Sequence, residues 1–507
     1  MSTRDQLLQE IWTDPLADQP RLVFADLLEK EGDLDRANFI RLQVGREAMP
    51  AWDPRVVELE LEERALLAEH GAAWRAALPK HKGVEWGSFS RGFVGKVAFD
   101  AIERLQQHRK ACLAAAPVHS IAIRWARSGA LPKLQPIDGL RELTMVGAVM
   151  RPEDLKWLAT CPLLVGVRSL NLIDSELRAG LPHLLKSPHL AALEALRMPL
   201  HTVGNAGIKK LTESTFAKLT ALDLSVGTDE QLGSGRRVPT AKTDARSVLE
   251  LASWRQLAQI EAFDYSGSKL GREGLSTLLM SPYTKGLKQL AIRDIADADW
   301  EMDDSLAAFE AGPAGALEEL DIRENDIDSE AALALAECKA LQDLKVLDMV
   351  DVHSKSFERL AQARWIHSLR VLSCGPGALP PILARAPKQL HTITLVRADA
   401  AATEAVVKAL AAAPQPALRS LDLGDSKMQD DTVRALGRLE TLPNLVSVSL
   451  RGNVTVISHD AAAEFARSPL GSQLKSLDTG FEDVDRLAPS KVVPVGRGLY
   501  RGPFRYL

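Results

Sequence analysis

A six-residue phrase with apolar residues at positions one, four and six recurs along most of this chain of 507 residues. Leu418-Arg419-Ser420-Leu421-Asp422-Leu423 is a clear copy. Further copies begin at Leu140, Val167, Leu193, Leu219, Ile260, Leu287, Leu317, Leu344, Leu369, Leu390, Leu445 and Leu474, and weaker ones at Val94 and Val118. Most neighbouring copies start 25 to 30 residues apart, with one step of 41 residues and one of 21. So regular an interval predicts an array of similar structural units.

This pattern of apolar residues and the interval between its copies are the signature of leucine-rich repeats. In each unit the apolar residues point into the core from a short strand, and the following stretch returns as a helix, as residues 152–158 indicate. Helices are about twice as wide as the strand separation of about 4.8 Å, so stacking them on one side bends the array. The sequence therefore predicts an α/β solenoid: a leucine-rich-repeat horseshoe with a concave parallel β-sheet and convex helices, preceded by a small all-α N-terminal domain.

The spacing of the phrase also predicts the domain limits. Residues 1–82 lack it and contain four segments of helical periodicity, which indicates a helical domain. Residues 83–486 form the predicted solenoid of about 15 repeats, with a polar surface insertion at 227–243 inside the longest step. The tail 487–507 alternates arginine and aromatic residues; such a pattern can stack on nucleic acid bases, but we favour a cap over the open end of the solenoid.

Composition excludes several classes of function. Lys and Arg (62) nearly balance Asp and Glu (67), and a formal net charge of −5 offers no basic field for nucleic acid or an anionic membrane. The polar start and the lack of long apolar stretches predict a soluble cytoplasmic protein. Four scattered cysteines and eleven histidines match no metal-ligand spacing, so we expect no metal, no cofactor and no catalytic residues. The chain is expected not to be an enzyme.

Two segments resemble a known family. Residues 16–33, which include Asp18, Arg21 and the Ala25-Asp26 pair, together with residues 38–43, resemble the bacterial repeat-companion domain. Ser90-Arg91-Gly92-Phe93 resembles the junction through which such proteins begin their first repeat. Members usually have Trp where this chain has Leu27. The resemblance implies a helical domain followed by leucine-rich repeats of the long, ribonuclease-inhibitor-like kind, and a companion or adaptor role without an assigned reaction.

The predicted concave face supplies the candidate binding residues. Position five, which points away from the core, is often acidic, and position seven contributes arginines that could neutralise those charges. Either these aspartates are ordinary solvated residues of the repeat, or they form an acidic binding surface. The candidates are Asp223, Asp264, Asp321, Asp348, Asp422 and Asp478 at position five, with Arg323 and Arg451 at position seven.

The sequence favours a non-enzymatic scaffold or adaptor that presents a repeat surface to a protein partner. The partner is not identified by the sequence, and a monomer is slightly favoured. The alternative hypothesis is a regulator of an enzyme, such as a GTPase-activating protein. In that case Arg236 or Arg237 of the insertion would act in trans as an arginine finger.

Overall fold

The computed structural model describes residues 2–124, 134–147, 150–172, 175, 177–226, 245–296, 304–313, 315–349, 356–396 and 398–485. These residues belong to two compact units. The first contains residues 2–50 and the described part of 66–268, and the second contains 51–65 and the described part of 269–485. The limits of the predicted helical domain, solenoid and tail stay predictions.

Four helices open the chain, where the sequence predicts them. They are α1 (Thr3–Thr13), α2 (Gln19–Lys30), α3 (Leu34–Glu47) and α4 (Arg55–Arg75). Local signals start three of them: Ser2 and Asp5 form a reciprocal capping box, Pro20 stands in the first turn of α2, and Asp33 accepts a hydrogen bond from the Arg36 amide. Residues of α1, α2 and α3 share one apolar cluster that includes Ile11, Phe24 and Ile40.

The first unit contains ten strands. They are β1 (Val84–Trp86), β2 (Phe89–Ser90), β3 (Phe93–Val94), β4 (Lys96–Phe99), β5 (Ser120–Ile123), β6 (Glu142–Met145), β7 (Ser169–Asn171), β8 (Ala195–Arg197), β9 (Ala221–Asp223) and β10 (Ala262–Asp264). β2 and β3 form a separate antiparallel hairpin. From β4 to β10 each strand pairs in parallel with the next, as expected for the repeats. The sequence did not predict β1, which pairs antiparallel with β4 and places Val84 opposite Phe99.

The second unit repeats the same pattern through eight parallel strands in chain order. They are β11 (Gln289–Ala291), β12 (Glu319–Asp321), β13 (Val346–Asp348), β14 (Val371–Cys374), β15 (Thr392–Leu395), β16 (Ser420–Asp422), β17 (Ser447–Ser449) and β18 (Ser476–Asp478). Position three of one strand lies opposite position three of the next, as Val346 lies opposite Val371. The predicted α/β solenoid class with a parallel sheet is therefore confirmed.

Helices connect the strands of both units. In the first unit they are α5 (Ile102–Ala115), α6 (Pro152–Thr160), α7 (Leu181–Leu185), α8 (Leu200–Thr212) and α9 (Ala245–Ala252). In the second they are α10 (Gly271–Leu279), α11 (Ser329–Glu337), α12 (Phe357–Leu360), α13 (Leu379–Ala384), α14 (Ala400–Ala412), α15 (Asp430–Gly437), α16 (His459–Arg467), α17 (Pro469–Gln473) and α18 (Glu482–Asp485). The repeat of 21 residues contains α13, which has six residues, whereas α14 in the following repeat of 28 residues has thirteen.

The inward positions form the core of each unit. Positions one and four, for example Leu219 and Leu222 or Leu418 and Leu421, are almost fully buried. Asn at the turn after the strand, which usually bonds the backbone in such repeats, is present at Asn325 and Asn453, and each side chain bonds carbonyls of two neighbouring turns. Ser426 replaces it in another repeat by donating to the Leu423 carbonyl at 2.7 Å. A shorter side chain thus satisfies one carbonyl where Asn satisfies two.

Candidate protein-binding surface

The position-five aspartates are buried rather than solvated. Five of the six are at most 2% exposed, and Asp422 is half-buried. In five of them one carboxylate oxygen accepts a hydrogen bond of 2.8–3.2 Å from the backbone N–H two residues later. This is an Asx turn at the end of the strand. Asp223, Asp264, Asp321, Asp422 and Asp478 share this geometry.

Arginines neutralise two members of this acidic series. Arg197 contacts the Asp223 carboxylate at 2.6 Å. Arg323 makes two contacts of 2.7 and 2.9 Å with Asp321, and Arg293 lies 3.6 Å from the same carboxylate. The pairing expected between position-five and position-seven residues is therefore present at Asp321, whose charge is compensated inside the protein.

The remaining candidates differ in their surroundings. Asp348 is 1% exposed. Burial, and then the nearby Asp348 carboxylate, raises the pKa of the Cys374 thiol to about 12. Arg451 is exposed and has no ion pair within 4 Å among the described residues. Arg236 and Arg237 of the insertion, and the tail 487–507, lie outside the described residues.

A different row of side chains is more accessible in the second unit. It is formed by position two of each phrase, at the start of the strands, and we name it the leading row: Lys288, Glu318, Lys345, Arg370, His391, Arg419, Val446 and Lys475. Each position-two amide from Glu318 to Lys475 donates to the position-two carbonyl of the preceding repeat at 2.7–2.9 Å. The backbone ladder therefore sets these side chains side by side, about one strand separation apart.

The leading row is basic. It contains five lysines and arginines, one glutamate, one valine and His391. Lys288 and Lys475 are exposed, Lys345, Arg370 and Arg419 are half-buried, and His391 is buried. Burial lowers the pKa of His391, which keeps the imidazole neutral. The accessible charge at the starts of these strands is thus mainly positive, whereas most of the negative charge of position five is buried.

One other segment of the second unit lies on the leading row. The Trp52 ring is stacked under the Arg370 guanidinium, with 4.4 Å between the arginine Cζ and the ring centroid. His391 Nε2 donates to the Trp52 carbonyl at 3.0 Å, and its Nδ1 lies 3.0 Å from Thr392 Oγ1. Farther along, Glu58 lies 3.8 Å from Lys475. Residues 51–65 therefore contact the row through an aromatic ring, a carbonyl and a carboxylate.

The residues behind the family resemblance form a second organised region, within the first unit. Arg21 is 1% exposed and donates to the carbonyls of Arg91, Ala17 and Pro15 at 3.0, 2.9 and 2.7 Å. Burial lowers the pKa of its guanidinium to about 10. The Gln43 amide accepts from the Gly92 N–H at 2.6 Å and donates to the Phe89 carbonyl at 3.3 Å. Helices α2 and α3 thereby hold the β2–β3 hairpin.

Arg36 completes this contact between helices and hairpin. Its guanidinium lies 4.6–5.5 Å from the centroids of four aromatic rings, and it also donates to the Gly92 carbonyl. Burial lowers the pKa of Arg36 to about 10. The rings belong to Phe39, Trp74, Phe89 and Phe93. Arg21, Arg36 and Gln43 thus bind the protein's own backbone, and Arg36 also binds its aromatic side chains.

Metal sites and membrane-spanning helices are two further features that the described ranges could contain. No three or more His, Cys, Asp or Glu side chains come together there as potential metal ligands. No helix in the same ranges is long and apolar enough to cross a membrane.

Comparison with known proteins leaves the family open. No family model matches the chain, and no curated protein matches it. A chain in the crystal structure of the Rad7 and Elc1 complex in yeast is similar over 98% of both chains, with 13% sequence identity and a TM-score of 0.41. A similarity at this level carries no argument about function.

Proposed function

We propose that this protein is a non-enzymatic scaffold that binds a protein partner along the leading row of its second unit. The observation that supports this proposal is the unbroken backbone ladder of the row, which evenly spaces its eight side chains, five of them cations, beside buried acidic residues. Rows of charge at fixed spacing favour an extended or helical partner of opposite charge. An acidic protein segment is therefore the expected ligand.

The test compares three forms of the full chain immobilised in parallel. They are the wild type, a row variant with Lys288→Glu, Lys345→Glu and Arg419→Glu, and a control with Lys285→Glu, Lys339→Glu and Lys408→Glu. The control changes the same charge at exposed lysines outside the row. Extract of the native cell is passed over each form, and bound proteins are quantified by mass spectrometry.

We expect at least one partner to be recovered equally by the wild type and the control, and about tenfold less by the row variant. The reason is that cations that attract an acidic partner are replaced by glutamates that repel it. Its recovery should also fall as salt screens the row. Identical sets of bound proteins on all three forms, with unchanged circular dichroism, would overturn the proposal.

We further infer that residues 1–82 are a domain of the repeat-companion kind. The support is that residues of the resembling segments bond to each other: Arg21 donates to the Arg91 carbonyl, and the Gly92 N–H donates to the Gln43 side chain. In this view the domain prepares the start of the repeat array and leaves partner binding to the leading row. Capture of the same partner by residues 1–82 alone would contradict that division of roles.

A further inference from the structure

Residues 51–65 are chemically complementary to the leading row that they touch. The segment contains five carboxylates, Asp53, Glu58, Glu60, Glu62 and Glu63, against two arginines. Val56, Val57 and Leu61 are buried, whereas Glu62 is exposed and Glu58 is half-buried. The segment is thus an acidic amphipathic stretch preceded by one aromatic residue.

Two residues of the leading row, Arg370 and His391, contact this segment through more than their charge. The Arg370 guanidinium has a flat face, and it stacks on the Trp52 ring at 4.4 Å in a cation–π contact. His391 is buried, and its Nε2–H donates to the Trp52 carbonyl at 3.0 Å, because a carbonyl oxygen can only accept. The pKa of Asp53 is lowered to about 2, mainly because the Arg55 side chain donates a hydrogen bond to it. The positive charge of Arg370 contributes to the same lowering.

We propose that residues 51–65 act as a built-in ligand of the leading row, and that the row's partner is an acidic amphipathic helix preceded by an aromatic residue, which binds by displacing them. This inference rests on the proposed function. The row in the isolated protein is then partly occupied, and a partner competes with a segment tethered to the same chain. Tethering gives such a segment an effective concentration in the millimolar range.

A peptide of the segment itself is the most direct probe. A fluorescently labelled peptide of residues 48–65 is titrated into the full-length wild type and into a release variant with Trp52→Ala and Glu58→Lys. We expect the release variant to bind the peptide at least about tenfold more tightly, because its own segment no longer competes. A peptide carrying the same two substitutions should bind neither form.

The binding position is tested in the release background. Arg370→Ala and Lys475→Glu should each weaken binding of the peptide by about tenfold, because each removes a contact that the tethered segment makes. Lys339→Glu is the matched control, since it changes an exposed lysine outside the row and should leave the affinity unchanged. The milder single substitution Glu58→Lys, which keeps Trp52, replaces the release variant if the double substitution unfolds the protein.

Two results would overturn the inference. Equal binding of the peptide to the wild type and the release variant would mean that the segment does not occupy the site. No binding to a folded release variant would mean that the contact is only part of the architecture. Failure of the proposed function looks different, because the peptide would then bind the release variant while no cellular partner depended on the row.

Discussion

The position-five aspartates act on the backbone that follows their own strands. Each Asx turn satisfies a backbone N–H that would otherwise point into a crowded turn. A carboxylate is not required for that hydrogen bond, because the amide oxygen of Asn can also accept it. Whether the charge itself matters can therefore be separated from the turn by substitution.

At Asp422, which is half-buried and whose oxygen accepts from the Gly424 N–H at 2.9 Å, we expect Asn to be tolerated and Ala to be costly. The Ala variant should lose about 1–2 kcal/mol of unfolding free energy, and the Asn variant less than about 0.5 kcal/mol. Urea denaturation of both variants measures the difference. Equal losses in the two variants would indicate that the charge, and not the turn, is what the position supplies.

His119 predicts a dependence of stability on pH. It is 3% exposed, and burial lowers its pKa to about 4, below the usual value of 6.5. The folded state therefore favours the neutral ring, so this contribution to stability is complete above pH 6.5 and is lost as the pH falls towards 4. The loss amounts to roughly 3 kcal/mol if the unfolded chain titrates normally.

The measurement compares wild type with His119→Gln between pH 7.5 and 4. Protonation of distant carboxylates affects both proteins alike, so the difference between their unfolding free energies reports on His119 together with Glu142, whose charge acts on the pKa of His119. We expect that difference to shrink as the pH falls, because only the wild type has an imidazole to protonate. Exposed His183→Gln is the control. A difference that stays constant with pH would contradict the assignment of the effect to His119.

At the scale of elements, the turn of the β2–β3 hairpin is tightly constrained where it packs against the helices. Its turn residues Arg91 and Gly92 have φ of 50° and 86°, so both lie in the left-handed region that two-residue hairpin turns require. A Cβ at Gly92 would also collide with the Ile40 side chain and lie 3.1 Å from its Cα. Backbone conformation and steric collision therefore both require glycine.

Gly92→Ala should destabilise the first unit by about 3 kcal/mol or more, since strain and collision add. Gly32→Ala provides the matched control: its φ is 90°, yet nothing lies within 4 Å of a Cβ there. We expect it to cost only about 1 kcal/mol. Thermal unfolding of both variants measures the two costs, and equal shifts in melting temperature would rule out the collision with Ile40.

Sequence periodicity predicted the strands well wherever the six-residue apolar phrase is present. The inward leucines and the four opening helices follow from apolar spacing alone. β1 was missed because Val84-Glu85-Trp86 is too short to show a period and pairs in the opposite direction. The leading row was missed for another reason: neighbours such as Arg370 and His391 are adjacent in space but separated by a whole repeat in the chain, so no local cluster of charge marks them. The sequence placed the aspartates on the strands but could not show that their carboxylates turn back to the backbone.

At the scale of the molecule, the structure gives residues 1–82 two kinds of contact with later residues. Within the first unit, Arg21, Arg36 and Gln43 hold the β2–β3 hairpin. Within the second unit, Trp52 and Glu58 lie on the leading row. Removal of this segment should therefore affect both stability and binding.

For a protein of residues 83–507 we expect a melting temperature at least about 5 °C lower than that of the full chain, because the apolar side chains facing α2, α3 and α4 become exposed. We also expect some self-association in size-exclusion chromatography, and tighter binding of the peptide of residues 48–65. Differential scanning fluorimetry measures the stability. A monomeric fragment as stable as the full chain would favour an N-terminal domain that recruits a separate partner.

The antiparallel pairing of β1 with β4 has a consequence for how copies of this protein meet one another. If β4 were the last strand, its free edge would have the same direction as every repeat, and the final strand of another copy could add to it and continue the array. With Val84–Trp86 in place, the edge that faces outward runs the opposite way. A second copy arriving in the orientation of the repeats would have to pair antiparallel with β1, so the parallel hydrogen-bonding pattern of the array could not continue across the junction. The three residues Val84–Trp86 thus mark where the parallel array of repeats begins.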